Sequence, residues 1–497
     1  MNLVGFGLTV HDTSVAAYKN GKFLYRKAER QYNSKHAFAD KAWAYSVLKE
    51  WGIDKHELAI STWLKGTDSS EFVKEKDNIT YLDHHYSHQL SASVKRENNL
   101  VLDAFAKGPS PVPGGLSPYS GLSNNLRLTE ISPSMLLSAL VRATPFDHET
   151  ELRNYAEYTQ GIFNDIQDAY QVDKNVSGLK TWNTFIKFID LPGKVMGLQS
   201  YGSPDLIKAS DWFNRTGFRN MSLFTEIMNL PKEELDNDMI STVHKLVEHI
   251  VIEKTPSVEF NYSGGLAQNV VWNRALLIGG YKPHIDPWAY DGGCSIGALH
   301  YLLDKHNIER PFNWHQDDEA PLGQPDGPLY ERVAELIADN KTVGWYQGHG
   351  EVGPRALGNR SILFNPTNFK AKQIVNKLKG REAWRPFGAS VKEDQADRFF
   401  DLPKSRHMLF NSKVIYSDLA GITHVDGTCR HQTVPEDNHQ FYWLLEAVEQ
   451  QLGLPIVLNT SLNQIGKPIC GTIQQAWDFY QNSELDAICI GDQLWTK

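Results

Sequence analysis

The sequence predicts an α/β protein made of two domains. Its 497 residues exceed what one typical hydrophobic core organises. Short β-type runs and helical patterns occur on both sides of a polar, acidic and proline-bearing stretch near residues 305–328. We therefore expect one domain over residues 1–315 and a second over residues 316–497.

The first domain is expected to open with a strand, "LVGFGLT", followed by a hairpin. Asn20 and Gly21 lie between two runs of alternating apolar residues, which is typical of a type I′ turn. A buried strand is predicted in "NLVLDAF", and helical patterns dominate residues 133–175 and 235–255. Residues 107–125 are rich in Pro, Gly and Ser and predict a long loop, a type of segment that often forms a lid or binding loop.

Two glycine turns stand before helical patterns in the same domain. They are "SGG" at residues 263–265 and "DGG" at residues 291–293. Backbone N–H groups at helix N-termini bind anions, so two such turns in series favour an anion site.

The second domain is predicted to alternate helices and strands. Helix "LYERVAELIADN" leads to strand "TVGWYQ", and helix "QFYWLLEAVEQQLG" ends at Gly453 with Pro455 just beyond. Strands "PIVLN" and "LDAICIG" are expected to close the chain.

Composition excludes few functions. The net charge of −9 argues weakly against a nucleic-acid coat protein but leaves a local basic groove open. No apolar run approaches the roughly 20 residues of a membrane helix, and the N-terminus lacks a signal-peptide pattern, so a cytoplasmic location, or the host cytoplasm for a viral protein, is expected. The cysteines form no CxxC pair, which makes a thiolate zinc site or a disulfide framework unexpected. They are Cys294, Cys429, Cys470 and Cys489.

The segment "YLDHHYSHQLSASV" at residues 81–94 concentrates histidines. On a helix, His84 and His88 would lie on one face, close enough to bind one metal ion. The alternative is a polar helix start with Asp83 as N-cap and solvated histidines. These residues alone leave both readings open.

Cations gather in glycine-punctuated turns of the second domain. Guanidinium groups match phosphate oxygens, and small hydroxyl and amide side chains can complete such a site. Ordinary surface ion pairs are the alternative for any single residue, but the set together predicts an oxyanion or phosphate site. Its candidates are Arg355, Arg360, Lys379, Arg381, Arg385, Arg430, Ser461, Asn463 and Lys467.

Several segments, all in one order along nearly the whole chain, resemble the NodU/CmcH family of O-carbamoyltransferases. They include "DHHYSHQLSA", "SGGLAQNVVWN", "EVGPRALGNRSIL" and "KGREAWRPFGASV". The resemblance implies a two-lobed N-terminal domain of the ASKHA class (actin/Hsp-like ATPases) and a C-terminal YrdC-like α/β domain. It also implies two steps. Carbamoyl phosphate and ATP, with Mg²⁺, give carbamoyl-adenylate and pyrophosphate in the second domain, and the first domain moves the carbamoyl group to an acceptor hydroxyl.

The resemblance also implies roles for individual residues. His84, His88 and Asp291 correspond to metal ligands, for which iron, zinc or manganese are candidates. The nucleotide cradle corresponds to Gly264, Gly265 and Asn269. The catalytic group comprises His11 as general base, with Asp12, Lys35 and Asp103. Carbamoyl phosphate and ATP correspond to Arg355, Lys379, Arg381, Arg430, Ser461 and Asn463. Met408 is expected as a pocket wall or plain core, and His85 as a neighbour of the metal ligands or a solvated residue.

The chain departs from the family pattern at "AFAKG" after Asp103, at His349-Gly350 and at Gln268, and matches it loosely over residues 107–195. The acceptor therefore stays open between an antibiotic, a saccharide and the hydroxymethyl group of a modified pyrimidine in a nucleotide or viral DNA. Other readings are a tRNA threonylcarbamoyl-type or hydrogenase-maturation carbamoyltransferase, a non-catalytic ASKHA nucleotide sensor and a simple metal hydrolase. A homodimer is expected.

Overall fold

The fold is taken from a computed structural model. It describes residues 1–9, 11–62, 72–103, 122–123, 126–127, 136–137, 140, 193–216, 223, 226–227, 229–402 and 404–497. The predicted loop over residues 107–125 and the predicted helices over residues 133–175 lie for the most part outside these ranges. Within them, no helix has the length and apolar character needed to cross a membrane.

The strands are short, as expected for an α/β protein. In chain order they are β1 (Asn2–Gly7), β2 (Ser14–Lys19), β3 (Lys22–Lys27), β4 (Glu57–Thr62), β5 (Val73–Lys76), β6 (Ile79–Asp83), β7 (Asn99–Val101), β8 (Leu122–Ser123), β9 (Leu126–Arg127), β10 (Glu259–Ser263), β11 (Lys282–His284), β12 (Val343–Tyr346), β13 (Arg360–Phe364), β14 (Gly388–Lys392), β15 (Asn411–Lys413), β16 (Thr428–Val434), β17 (Ile456–Ser461), β18 (Ala487–Ile490) and β19 (Gln493–Thr496).

The α-helices alternate with these strands. In chain order they are α1 (Ala28–Tyr32), α2 (Lys41–Glu50), α3 (His84–Leu90), α4 (Leu206–Thr216), α5 (Asn237–Lys254), α6 (Val270–Ile278), α7 (Cys294–Lys305), α8 (Gly327–Ala338), α9 (Ala371–Lys379), α10 (His439–Leu452) and α11 (Ile473–Gln481). Short 3-10 helices cover Gln199–Tyr201, Lys232–Glu234, Gly265–Gln268, Asp291–Gly293 and Glu393–Arg398.

The chain forms two compact units. The first contains Met1–Gly21, Phe38–Ile285 and Ala289–Arg310, and the second contains Lys22–Ala37, Asp286–Trp288 and Pro311–Lys497. The segment Lys22–Ala37 groups with the second unit because Arg26 pairs with Asp317 at 3.0 Å and the Asp317 amide donates to the Tyr25 carbonyl at 2.7 Å. The predicted domain ranges 1–315 and 316–497 did not anticipate these short insertions.

In the first unit, β1 lies antiparallel to β2 and parallel to β4, and β4 is parallel to β6. A second sheet has the order β11-β10-β7-β8-β9. Helix α7 lies directly against β1 and α3 because glycines remove the side chains between them. A Cβ at Gly5 would lie 2.1 Å from the Ser295 carbonyl oxygen, and one at Gly297 would lie 1.9 Å from the Ser87 carbonyl oxygen. This close packing brings the N-terminus of α7 to the histidines of α3.

The second unit is built on one mixed sheet of eight strands in the order β15-β16-β14-β17-β13-β12-β18-β19. Neighbouring residues of a strand point to opposite faces. Accordingly, Ile456 packs with Phe364 and Phe399 in one buried cluster, whereas Val457 packs with Phe441 in another. The sheet is therefore covered on both faces, as the apolar runs of its strands require.

Glycine and asparagine residues in the sequence predicted one hairpin turn and one helix end correctly. Asn20 and Gly21 both have positive φ, 50° and 81°, as a type I′ turn requires. Gly453 ends α10 in the left-handed region with φ 71°, so the predicted helix stop is confirmed. The prediction that "LDAICIG" is the last strand is wrong. Gly491, with φ 58°, reverses the chain, and β19 then pairs antiparallel with β18.

Candidate functional site

Helix α3 carries the predicted histidines and begins at an N-cap. The Asp83 carboxylate accepts from the backbone amides of His85 at 3.1 Å and Tyr86 at 3.4 Å, so the predicted cap is confirmed. The histidines are not solvated, because His84, His85 and His88 are each at most 3% exposed. Of the two alternatives for His85, the solvated one is therefore wrong, and its place as a neighbour of the metal ligands stays a prediction.

His84 and His88 lie on one face of α3, with ring centroids 4.7 Å apart. Two carboxylates face them. His84 Nε2 lies 3.2 Å from Asp103 Oδ2, and His88 Nε2 lies 3.4 Å from Asp291 Oδ1. One ligand atom from each of these four residues lies within 4.8 Å of the others, and all four are buried. The structure thus brings together the predicted ligands and adds Asp103, which the sequence placed among the catalytic residues.

Glycine turns position both carboxylates. Asp103 follows β7, and its Oδ1 accepts from the Gly265 amide at 2.9 Å. Gly264 must be glycine for two reasons: its φ is +90°, and a Cβ there would lie 2.2 Å from the Leu102 carbonyl oxygen. Asp291 opens the 3-10 turn that leads into α7. The glycines predicted to cradle a nucleotide therefore have a second task, and their nucleotide role stays a prediction.

The charges of the histidines and carboxylates influence one another. Burial alone would lower the pKa of His84, but Cys294, Asp291 and Asp103 outweigh it and raise this pKa to about 10. The pKa of His88 is raised as well, since Asp291 and Asp103 outweigh burial. Burial would raise the pKa of Asp103, yet His84 and His88 lower it well below its usual range.

This electrostatic pattern fits a cation site. Protons on the imidazoles balance the buried carboxylates, and a divalent ion would replace those protons. Two imidazoles with carboxylates form a donor set that suits Fe²⁺, Mn²⁺ or Zn²⁺. The residues present therefore fit the transition metal that the sequence predicts, without choosing among these ions.

His11, the predicted general base, lies beside the cluster. Its Nδ1 is 2.7 Å from Asp12 Oδ2, and its Nε2 is 3.6 Å from Asp291 Oδ2. Asp12 has a positive φ of 58° and is buried, so the turn presents its carboxylate to the ring. Lys35 belongs to the second unit, and its predicted support of His11 stays a prediction.

Two residues of this region escaped the sequence analysis. Cys294 Sγ lies 3.8 Å from His84 Nδ1 and 3.6 Å from His88 Nε2. The only available signal was its position three residues after Asp291, since the cysteine spacings argued against a thiolate site. His244 is the other: its Nε2 lies 3.0 Å from Asn269 Nδ2.

Asn269 already serves the fold. Its Oδ1 accepts from the amides of Val271 at 3.1 Å and Trp272 at 3.4 Å, which caps α6, while its amide nitrogen meets His244. Its predicted contact with a nucleotide stays a prediction.

The second unit brings three predicted donor-site residues together. Lys379 ends α9 and is 5% exposed. Its Nζ donates to Asn463 Oδ1 at 2.7 Å and to Ser461 Oγ at 3.3 Å, and also to the backbone carbonyls of both residues. All these partners are neutral, so the buried ammonium has no compensating charge among its hydrogen-bond partners.

The positive charges of nearby arginines act on Lys379. Burial lowers the pKa of Lys379 well below its usual range, and Arg381 and Arg385 lower it further. Burial, Arg430 and Arg385 likewise lower the pKa of Arg355. Burial lowers the pKa of Arg430 to about 10. These cations repel one another, so together they form a concentrated positive site. A bound anion would relieve that repulsion.

Arg360 already has partners within the fold, and its sequence-based assignment to the anion site stays a prediction. Its side chain is fully buried, stacks on the Tyr346 ring at 3.6 Å and pairs with Asp318 at 3.3 Å. Lys467 is exposed, and its Nζ donates to the Asn33 carbonyl at 3.3 Å. Met408 is buried with a φ of 55°, and its sulfur would lie 3.2 Å from a Cβ at Gly388.

The loop that carries Arg355 is organised by a residue that the sequence did not single out. Glu351 is fully buried, and its Oε1 accepts from the amides of Leu357 at 2.7 Å, Asn359 at 2.9 Å and Arg360 at 3.3 Å. One carboxylate thus closes the turn "EVGPRALGNR".

Comparison with known proteins finds similarity to carbamoyltransferases and nodulation proteins. Residues 334–497 match the family described as "Carbamoyltransferase C-terminus". Nodulation protein NolNO of Sinorhizobium fredii is 29% identical over 521 residues, which cover 93% of this chain and 71% of that protein. Nodulation protein U of Azorhizobium caulinodans is 31% identical over 328 residues, which cover 56% of this chain and 59% of that protein.

These matches support the NodU/CmcH-type family of carbamoyltransferases as the family to which the chain is related. The predicted enzyme class, carbamoyltransferase, is thereby confirmed.

The mixed α/β architecture predicted for this carbamoyltransferase is also confirmed by its sheets and helices. Among solved structures, component A of the (R)-2-hydroxyglutaryl-CoA dehydratase of Acidaminococcus fermentans is similar with a TM-score of 0.30 and 12% identity, covering 62% of this chain and 99% of that one. A similarity of that size carries no argument about fold, so the ASKHA and YrdC-like assignments stay predictions.

Proposed function

We propose that this carbamoyltransferase works in two steps. The second unit, as a YrdC-like domain, would hydrolyse carbamoyl phosphate to carbamate and inorganic phosphate. A carbamate oxygen would then displace pyrophosphate from the α-phosphorus of ATP to give carbamoyl-adenylate. The first unit, as an ASKHA-type domain, would transfer the carbamoyl group of the carbamoyl-adenylate to an acceptor hydroxyl. The observation that carries this proposal is the buried cation cluster around Lys379. The hydrogen-bond partners of the Lys379 ammonium are all neutral, so none of them compensates its charge.

Both donor substrates are polyanions, and Mg²⁺ would accompany ATP. A buried charge is costly unless a counter-charge is near, so phosphate oxygens are the natural partners of Lys379, Arg381 and Arg430. Arg381 is held for this task by stacking on Phe387 at 4.2 Å. Fixed cations also stabilise the charge that moves between oxygens during adenylation.

Ser461 and Asn463 would set the position of the lysine rather than supply charge. Ser461 donates to Asn463 Oδ1 at 2.6 Å, and both residues contact Lys379 Nζ. Because hydrogen bonds already fix its Nζ, Lys379 loses little additional side-chain entropy when a substrate binds.

In the first unit, His11 would take the proton of the acceptor hydroxyl. Asp12, at 2.7 Å from Nδ1, keeps a proton on that nitrogen, which leaves the Nε2 lone pair for the substrate. His84, His88 and Asp291, with Asp103 beside them, would hold a divalent transition metal that supplies Lewis acidity and a template for nucleotide oxygens when bound.

Carbamoyl-phosphate-dependent exchange of labelled pyrophosphate into ATP tests the first step. Lys379→Ala should reduce exchange by about two orders of magnitude or more, since a buried cation on transferring phosphates is worth several kcal/mol. Lys377→Ala is the matched control, because Lys377 lies on the same helix but is exposed and pairs with Glu484 at 2.8 Å. Full exchange in Lys379→Ala would refute the donor assignment.

The acceptor is tested separately. The full chain, ATP and carbamoyl phosphate are incubated with saccharides, antibiotics and hydroxymethylated pyrimidine nucleotides or DNA, and the products are examined for the mass of one added carbamoyl group. Pyrophosphate exchange without carbamoyl transfer to any alcohol would support the formation of carbamoyl-adenylate and contradict the transfer step.

A further inference from the structure

The thiol of Cys294 faces the same histidines as the carboxylates but from another side. Its Sγ lies 3.8 Å from His84 Nδ1 and 3.6 Å from His88 Nε2. Cys294 opens helix α7, is fully buried and is a free cysteine. The three residues form a second group of potential ligands, with ligand atoms within 4.8 Å of one another.

These separations match those of atoms that share one metal ion. With Zn–S near 2.3 Å and Zn–N near 2.0–2.1 Å, two ligands at a tetrahedral angle lie about 3.6 Å apart. The measured sulfur–nitrogen distances of 3.6 and 3.8 Å therefore require little adjustment on binding. At these distances the buried thiol forms weak hydrogen bonds with the two rings, and the same atoms are placed to become ligands when a metal ion binds.

The two ligand groups exclude each other. His88 Nε2 lies 3.4 Å from Asp291 Oδ1 and 3.6 Å from Cys294 Sγ, so it belongs to both groups. His84 offers Nε2 to the carboxylates and Nδ1 to the thiol. Since the two nitrogens of one ring point in different directions, a single ion takes one arrangement or the other.

The geometry points to Cys294 as a metal ligand. A thiophilic divalent ion is held by His84 Nδ1, His88 Nε2 and Cys294 Sγ, in competition with the carboxylate-rich arrangement of His84, His88, Asp103 and Asp291. Hard ions favour carboxylate oxygens and thiophilic ions favour sulfur, so the identity of the metal selects the arrangement. Binding through sulfur releases the thiol proton to solvent, because the thiolate is the ligand.

This inference rests on the metal centre of the proposed function. Titration with Co²⁺ distinguishes a failure of the metal centre from a failure of the Cys294 assignment. Metal-free full-length protein, kept reduced and anaerobic, is titrated with Co²⁺. Total bound cobalt is measured by equilibrium dialysis, and sulfur ligation by the thiolate-to-cobalt charge-transfer band in the near ultraviolet. X-ray absorption then reports whether a sulfur atom lies in the cobalt coordination sphere.

The wild-type protein should show the band, saturating at about one Co²⁺ per chain as a single mixed site requires. Cys294→Ser should lose the band and bind cobalt through the carboxylates, whereas Asp291→Asn should keep the band. Cys429→Ser, which removes a buried free cysteine of the second unit, is the matched control and should keep it.

Bound cobalt without a charge-transfer band or a sulfur neighbour in the wild-type protein would overturn the assignment of Cys294 and leave the metal centre intact. Absence of any stoichiometric cobalt binding would overturn both. These outcomes are read on the wild-type protein, so they hold even if a substitution at the packed N-terminus of α7 prevents folding.

Discussion

Asp103 joins two parts of the first unit through one carboxylate. Its Oδ2 lies 3.2 Å from His84 Nε2, and its Oδ1 accepts from the Gly265 amide at 2.9 Å. The histidine helix and the glycine turn are thus tied to the same side chain. This arrangement places an aspartate that follows β7 among the potential metal ligands, although it is distant in sequence from Asp291.

Asp103→Asn should weaken metal binding about 10- to 100-fold, the usual cost of losing a group that ligates or orients a ligand. The amide keeps a hydrogen-bond acceptor for Gly265 but loses the negative charge that faces His84. Equilibrium dialysis with Co²⁺ or Mn²⁺ measures the change. Asp211→Asn, an exposed residue of α4, is the control. Unchanged affinity would remove Asp103 from the centre.

Asn463→Asp should weaken anion binding by the second unit. A carboxylate at this position, 2.7 Å from Lys379 Nζ, would supply internally the negative charge that substrate provides. We expect at least a 10-fold loss of carbamoyl phosphate affinity, or about 1.4 kcal/mol. The ligand-free variant should be no less stable than the wild type, because a buried ammonium gains a partner.

Calorimetric titration and thermal unfolding together measure both effects of Asn463→Asp. Asn482→Asp is the control for charge, since Asn482 is exposed. An Asn463→Asp variant that binds the anion as well as the wild type would show that the ligand lies elsewhere.

The sequence predicted His84, His88 and Asp291 as a metal group, and the structure places their side chains together. The same pattern missed Cys294, because metal-binding cysteines are recognised by short spacings and this one is presented by the packing of α7 on Gly5. Contacts made by close helix packing have no local signature.

Charge patterns were harder to assign. Arg355 and Arg360 stand in the same motif, yet Arg360 is a core residue stacked on Tyr346. The sequence does not tell which of the two arginines is available for an anion, because the direction of each side chain depends on how Glu351 folds the loop that contains them. The type of element was predictable from periodicity, whereas the direction of each side chain required the tertiary structure.

Glu351→Ala should destabilise the second unit strongly. The substitution leaves the amides of Leu357, Asn359 and Arg360 without their shared acceptor in a buried loop. Each buried donor left unpaired costs about 1–3 kcal/mol, so a loss on the order of 3 kcal/mol or more is expected.

Urea unfolding measures this loss, with Glu331→Ala as control because Glu331 is exposed on α8. Glu351→Gln retains one acceptor oxygen and should fall between the two. Its pyrophosphate exchange should also decrease if the loop sets the position of Arg355. Equal stability of Glu351→Ala and Glu331→Ala would contradict the role given to this carboxylate.

His244 should make the first unit sensitive to mild acid. Burial, with the charge of Lys245, lowers the pKa of His244 to about 3 despite its hydrogen bond to Asn269. In the unfolded chain the pKa of His244 has its ordinary value of 6.5. Below that pH the unfolded chain therefore binds a proton at His244, whereas the folded protein does not. Stability contributed by neutral His244 is therefore present above pH 6.5 and is lost as the pH falls toward 3.

Between pH 6.5 and 5.0 the loss from this residue should be about 1.5 kcal/mol, from a limiting slope of about 1.4 kcal/mol per pH unit. His244→Gln keeps an acceptor for Asn269 but does not titrate, so its unfolding free energy should fall less over this interval. His249→Gln, an exposed histidine on the same helix, should retain the wild-type slope. Denaturant titrations at the two pH values decide the point, and parallel slopes for wild type and His244→Gln would show that His244 is protonated in the folded protein.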